Sequence, residues 1–136
     1  MPPLVRKKLE EGQNFNAQRR SFYSAAEVRL DTGKVVDSYE HREEIVERKH
    51  SQLADIQEST AIGYLRDLVR KYSPGEEIAG TPRNREHYPE LVGKPLEGEM
   101  ILEVPVQNRP IPRAILEKAD ELDITIRDTN GREFQL

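Results

Sequence analysis

Residues 35–49 read Val-Val-Asp-Ser-Tyr-Glu-His-Arg-Glu-Glu-Ile-Val-Glu-Arg-Lys. Whether this stretch forms strands or a helix decides the fold. As strands, residues two apart point to one face. A strand from Glu44 to His50 then shows Ile45, Glu47 and Lys49 on one side, with Asp37 at the end of the apolar pair Val35 and Val36. The competing reading is a solvated helix, because residues 40–58 are crowded with charge and charge runs often mark exposed helix surface. The local spacing, Asp-x(9)-Glu-x-Lys, is too short to decide between them.

The flanking sequence favours strands. Ala26-Glu27-Val28-Arg29-Leu30 and Val35-Val36-Asp37-Ser38-Tyr39 bracket Asp31-Thr32-Gly33-Lys34. Asp-x-Gly between β-favouring runs predicts a hairpin, since glycine supplies the positive φ of the turn. Asp37 falls on its second strand, and 44–50 becomes a third after a loop around Glu40 to Glu43.

Outward from this centre, Leu4 to Tyr23 reads as helical, with Leu9, Phe15, Phe22 and Tyr23 as anchors and Gly12 as a divider. Two basic clusters, Arg6-Lys7-Lys8 and Arg19-Arg20, read as phosphate contacts or as solvated surface. Ser59 or Thr60 is the expected cap of a helix carrying Ile62, Leu65, Leu68, Val69 and Tyr72 at helical spacing, stopped by Ser73-Pro74-Gly75. Arg66, Arg70 and Lys71 lie on or near one face of it.

Pro74, Pro82, Pro89 and Pro95, with Gly75, Gly80, Gly93 and Gly98, mark residues 73–98 as a long connection with little regular structure. Glu99 to Val104 reads as a strand, Pro112 to about Leu122 as a helix with Pro112 in its first turn. Ile124 to Arg127 reads as a strand, and Asp128-Thr129-Asn130-Gly131 as a turn before a short strand at Arg132 to Phe134.

The 136 residues suit one domain spanning 1–136, with 1–12 read as a linker or N-terminal extension. There is no cysteine, so disulfides and thiolate metal sites are excluded, and only three histidines, scattered at 41, 50 and 87. No apolar run approaches the ~20 residues of a membrane span, so no membrane anchor is expected, and the first residues do not resemble a signal peptide. A net charge of −4 argues against a protein that coats nucleic acid, but not against a nuclease with locally clustered basic residues.

Two carboxylates and an ammonium converging on one point suit phosphodiester hydrolysis. Carboxylate oxygens hold a hard cation such as Mg2+ (or Mn2+) that keeps several waters, and the cation activates a bound water and polarises the phosphate. Asp37 and Glu47 are the candidate metal ligands, Lys49 the candidate orienter of water or stabiliser of charge. Glu27 is a candidate third acid, with an exposed glutamate as the alternative. Gln52 is a candidate partner of the water or a phosphate.

The element order, αβββαβ plus a C-terminal helix and strand, is that of an α/β restriction-endonuclease-like three-layer core. The chain resembles the PD-(D/E)XK nuclease superfamily, and specifically the restriction-endonuclease-fold toxin domains at the C-termini of bacterial polymorphic and secreted toxins. The residues that carry the resemblance are Asn14-Phe15 with Arg19 and Tyr23, Glu27-Val28, Gly33 to Tyr39 and Ile45 to Lys49. It continues through Gln52-Leu53, Ser59-Thr60-Ala61, Tyr72 to Gly75 and Ile101 to Gln107, so that it covers about residues 12–135.

The resemblance implies a mixed sheet flanked by helices and a Mg2+-dependent endonuclease. Asp37 and Glu47 would be its metal ligands and Lys49 its water-orienting lysine. Glu27 would match an acid often found on the first helix, and Gln52 an assisting residue. It also implies a secreted or delivered toxin acting on nucleic acid, DNA before RNA, in the target-cell cytoplasm, and a cognate immunity protein. Val36 stands where the motif's proline would, and the overall acidity is a second departure. A catalytically inactive binding module and an acidic immunity or adaptor protein are the other readings. Lys49 beside Glu47 speaks against the last.

Overall fold

The computed structural model describes residues 3–72 and 75–136, with the side chains of 3–5 left aside. Helix α1 (Pro3–Arg19) leads through a 3-10 turn at Arg20–Phe22 into three strands, β1 (Ala25–Arg29), β2 (Val35–Glu40) and β3 (Glu44–Arg48). Helices α2 (Glu58–Lys71) and α3 (Pro82–His87) precede β4 (Glu99–Val104). Helix α4 (Arg113–Glu121), β5 (Ile124–Asp128) and β6 (Glu133–Phe134) complete the chain. The six strands form one mixed sheet in sequence order. β1, β2 and β3 are antiparallel neighbours, β3, β4 and β5 are parallel, and β6 returns antiparallel.

Residues 40–48 are therefore strand and turn, not helix. The Asp31 to Lys34 turn forms as expected: Gly33 takes φ 89°, and the Leu30 N–H reaches the Lys34 carbonyl at 2.8 Å. Glycine meets this φ without the Cβ clash that other residues suffer. The parallel pairing of β3 and β4 needs a long crossover, which α2, α3 and their loops provide.

One face of the sheet carries the main core. Ala61, Leu65 and Leu68 line the buried side of α2, and Ile115 and Ala119 that of α4. They pack with Tyr39, Ile45, Leu102 and Ile126, all fully buried. The spacing of four and three along α2, and of four along α4, makes one apolar stripe on each, and that stripe explains why short helices hold here. On the other face lies α1, whose Asn16 and Arg19 meet Arg48 of β3 and Glu103 of β4.

Four local expectations are corrected. Gly12 does not divide the first helix, which runs unbroken from Pro3 to Arg19. α2 starts two or three residues earlier than read: Gln57 precedes it without a side-chain cap, and Ser59 and Thr60 lie inside. Residues 75–98 are more ordered than their prolines and glycines imply. Thr81 caps α3 by accepting from the Asn84 N–H at 3.2 Å, Pro82 sits in its first turn, and buried Asn84 donates to the Arg29 and Ala79 carbonyls. Glu27 lies in β1 with φ 52°, within the β-favouring run as read, and not on the first helix, where the resemblance implies the matching acid. Of the stop signal after α2, Ser73 and Pro74 lie outside the described residues.

Gly98 fixes how β4 meets β3. It has φ 133°, and a Cβ there would come within 2.6 Å of the Glu43 carbonyl carbon. Backbone cannot step aside as a side-chain tip can. Gly98→Ala is expected to cost at least about 2 kcal/mol in urea unfolding. Gly63→Ala, in helix α2 with nothing within 4 Å of the new methyl, is expected to stabilise by about 0.5–1 kcal/mol. Equal effects of the two changes would contradict the packing described.

Candidate active site

β2 and β3 pair through Ser38 and Val46. One step further along this register Asp37 stands across from Glu47. There the regular ladder stops, and the Asp37 carboxylate takes the Arg48 backbone N–H instead, at 2.8 Å from Oδ2. A side-chain oxygen replaces a backbone carbonyl, so the donor stays satisfied while the acid is pinned beside Glu47.

Glu47 points toward α2 and is buried, at 7% exposure. Lys49 lies just past the strand, and its Nζ is 3.5 Å from Glu47 Oε1. The ammonium also lies over the Tyr64 ring of α2, 5.2 Å from its centroid, an attraction between cation and ring face. Its side chain remains one-third exposed, so it can reach solvent or a ligand. Tyr72, at the end of α2, donates its hydroxyl to the Val35 carbonyl at 2.6 Å. Burial and then the charges of Glu47 and Asp37 keep that phenol from ionising.

The charge balance is incomplete. Burial, and after it the neighbouring Glu47 charge, raise the Asp37 carboxyl to about 6; the Arg48 N–H and the Arg48 and Lys49 charges offset them only in part. Glu47 Oε2 is buried and makes no hydrogen bond of regular geometry among the described residues, although the Tyr72 hydroxyl lies near the Glu47 carboxylate. A buried unpaired carboxylate oxygen costs free energy that folding must supply elsewhere. A hard cation at that oxygen would remove the cost. The donor set fits Mg2+ or Mn2+, which take oxygen ligands and keep waters of their own.

The other candidates do not join this group. The Glu27 carboxylate pairs with Arg20 at 3.4 Å and Arg83 at 3.8 Å. Among the described residues no cluster of three or more His, Cys, Asp or Glu stands in a metal-holding arrangement. The protein's share of any cation shell here is thus Asp37 and Glu47. Gln52 serves the loop after β4: its Nε2 donates to the Val106 carbonyl at 2.9 Å, and its Oε1 accepts from the Asn108 N–H at 2.8 Å. Gln107 reciprocates, accepting from the Leu53 N–H and donating to the Ser51 carbonyl. Both glutamines are thereby engaged in clamping two loops, although Gln52 keeps one N–H and one acceptor lone pair beyond these bonds.

Sequence reading missed the opposite face of β3. Arg48 is buried there, its Nε 2.8 Å from Glu103 Oε1 and its Nη2 2.5 Å from Ser38 Oγ. Arg19 and Tyr23 also donate to Glu103. Burial pushes the Glu103 carboxyl up, but these donors outweigh it and hold the acid below its ordinary range. The signal was a lone charge inside the apolar run Ile101-Leu102-Glu103-Val104, which needs a buried partner. The Arg19-Arg20 cluster is likewise spoken for, by Glu103 and Glu27.

No known protein family matches the chain, no curated protein resembles it closely enough to match, and no solved structure matches its fold.

Asp37 sets a stability prediction. In the folded chain it binds its proton more tightly than the ordinary 3.8, so the folded state holds more protons than the unfolded one between pH 4 and 6. Stability therefore falls as pH rises through that window. In chelator, Asp37→Asn is expected to gain on wild type across it, reaching about 3 kcal/mol above pH 6. Urea unfolding at pH 4 and pH 8 that gives the same difference at both would exclude a strained pair.

Proposed function

We propose that the chain is a metal-dependent nuclease that hydrolyses phosphodiester bonds at Asp37, Glu47 and Lys49. The observation that carries this reading is the buried, unpartnered Glu47 Oε2 beside Asp37, with an ammonium 3.5 Å from the same carboxylate. Arg20 Nε and Asn84 Oδ1 are the other buried polar side-chain atoms without a partner among the described residues, and of the three only Glu47 Oε2 is a carboxylate oxygen. A bound cation would supply a polarised phosphate and a water of lowered pKa.

The chain's own residues do the rest. Asp37 and Glu47 would hold the cation. Tyr72, bonded to Val35, closes the inner side of the site. Tyr64 holds the Lys49 ammonium near Glu47, where it orients the attacking water and balances charge gathering on the phosphate. Preorganised charge of this kind counts most because it needs no rearrangement during reaction.

The αβββαβ order and the mixed sheet support a restriction-endonuclease-like fold. The motifs shared with restriction-endonuclease-fold toxins support a toxin delivered to target-cell cytoplasm, with DNA as the first substrate to test and a cognate immunity protein as partner.

The test is incubation of purified protein with plasmid DNA and total RNA, with and without Mg2+. Cleavage is expected only with the metal. Lys49→Ala is expected to lose about 10²-fold or more in rate with the fold intact. Glu47→Gln weakens the hold on the cation, so excess Mg2+ should partly restore it but not Lys49→Ala. Cleavage by Lys49→Ala at the wild-type rate, or none by wild type with any divalent metal, would refute the nuclease reading.

A further inference from the structure

Strand β1 forms one edge of the sheet, and helix α3 lies along it. Arg83 Nη2 donates to the Ala26 carbonyl at 3.2 Å, and the Asn84 amide donates to the Arg29 carbonyl at 3.0 Å. Where strand and helix meet, a cavity of about 440 Å³ remains. Glu27 and Arg29 of β1, Val35 of β2, the capping Thr81, and Arg83 and Asn84 of α3 line it. That volume lies within the range of small-ligand sites.

Three features of this corner cost stability. Glu27 has φ 52° within a strand, a conformation that a residue with a Cβ adopts under strain. The ladder registers Ala26 with Ser38 and Val28 with Val36, and leaves Glu27 unregistered between them. Asn84 is fully buried, yet its Oδ1 has no hydrogen-bond partner among the described residues. Arg20, whose Nη1 is 3.4 Å from Glu27 Oε1, has a buried Nε that is unpartnered as well. Strain and unmet polar atoms collect at ligand clamps, and here they surround one cavity.

The charge is unbalanced in one direction. Arg20 and Arg83 share the Glu27 carboxylate at 3.4 and 3.8 Å, both longer than a well-formed charged hydrogen bond. Arg29 donates to the Gly33 carbonyl at 3.1 Å and has no acidic partner among the described residues. Three guanidiniums thus stand near one carboxylate, two positive charges in excess, on a chain whose net charge is −4. Among the described residues Glu27 is the one acid in the lining. A guanidinium has five N–H donors, and most of those on Arg29 and Arg83 are unspent. One such fork takes up both oxygens of a carboxylate, whereas a phosphate has oxygens for two. Glu27 and Asn84 Oδ1 are acceptors, and they call for hydroxyls.

We propose that this cavity binds a small phosphorylated polyol, with Arg29 and Arg83 on its phosphate and Glu27 and Asn84 accepting from its hydroxyls. The site uses none of Asp37, Glu47 and Lys49 and needs no metal, so it stands independently of the nuclease reading. Each arginine already gives one N–H to a backbone carbonyl, Arg29 to Gly33 and Arg83 to Ala26. Those bonds hold the guanidiniums in place before the ligand arrives, which lowers the ordering cost of binding.

Calorimetric titration in EDTA tests it, with ribose 5-phosphate, ribose, inorganic phosphate and a short single-stranded DNA as separate probes. Ribose 5-phosphate should bind at one site per chain, at least about tenfold tighter than inorganic phosphate, and ribose should not bind. Arg29→Gln and Arg83→Gln should each weaken ribose 5-phosphate about tenfold or more, the order of one lost charged hydrogen bond. Arg29→Lys keeps the charge without the fork and should recover only part of that loss. Arg66→Gln removes the same charge from an exposed position of α2 and should bind as wild type. Circular dichroism checks that each variant is folded, and the exposed Arg29 side chain makes that the expected result. No binding of ribose 5-phosphate, or equal binding by wild type and Arg29→Gln, would overturn the proposal. An equal loss in Arg66→Gln would overturn it too, by showing attraction to bulk charge only. Inorganic phosphate bound as tightly as ribose 5-phosphate would overturn the part given to Glu27 and Asn84. DNA bound more tightly than ribose 5-phosphate, and lost in Arg29→Gln, would overturn the assignment to a small molecule.

Discussion

Strand β3 carries a buried charge on each of its faces. Glu47 points toward α2 and Arg48 toward α1, and both are under one-tenth exposed. Charges so placed need partners, and the strands beside β3 are arranged around that need. β4 brings Glu103 and β2 brings Ser38 to Arg48. β2 also brings Asp37 to the Arg48 backbone, where the carboxylate stands in for a missing ladder bond.

The two faces solve the problem differently. Toward α1 the account closes: Glu103 accepts from Arg19, Tyr23 and Arg48, and Arg48 also donates to Ser38 and Asn16. Removing one partner from such a network leaves a buried charge uncompensated, so its role is to fasten α1 to the sheet. Toward α2 two acids share one lysine, one acid is driven to a raised pKa, and one carboxylate oxygen stays bare. Folding alone gives no reason to hold two acids there. A perturbed acid beside a specific charge partner is a functional-site signature when geometry agrees, and here the ladder break supplies the geometry.

Much of this was legible in the sequence because it depends on local rules. Asp31-Thr32-Gly33 specifies its turn through φ at glycine. Alternation along Ile45, Glu47 and Lys49 specifies one face once the strand is granted. Pro112 marks the start of α4, though as the extended residue before the helix and not in its first turn as read. What was not legible depends on distant partners. Gln52 is paired with residues more than fifty positions away, and Glu27 with Arg83, so their side chains could not be seen to be occupied. Tyr72 read as one more apolar position of a helix; only the fold sets it beside Glu47. α3 was missed because glycines and prolines were read as breakers, although Thr81-Pro82 is a helix start.

The central claim is that Asp37 and Glu47 are kept together for a divalent cation. Calorimetric titration of Mn2+ into the metal-free protein at pH 7.5 tests it without any substrate. The expected result is one site per chain, lost in Glu47→Ala and strongly weakened in Asp37→Asn, with both variants folded by circular dichroism. Failure of wild type to bind, or binding that survives Glu47→Ala unchanged, would contradict it.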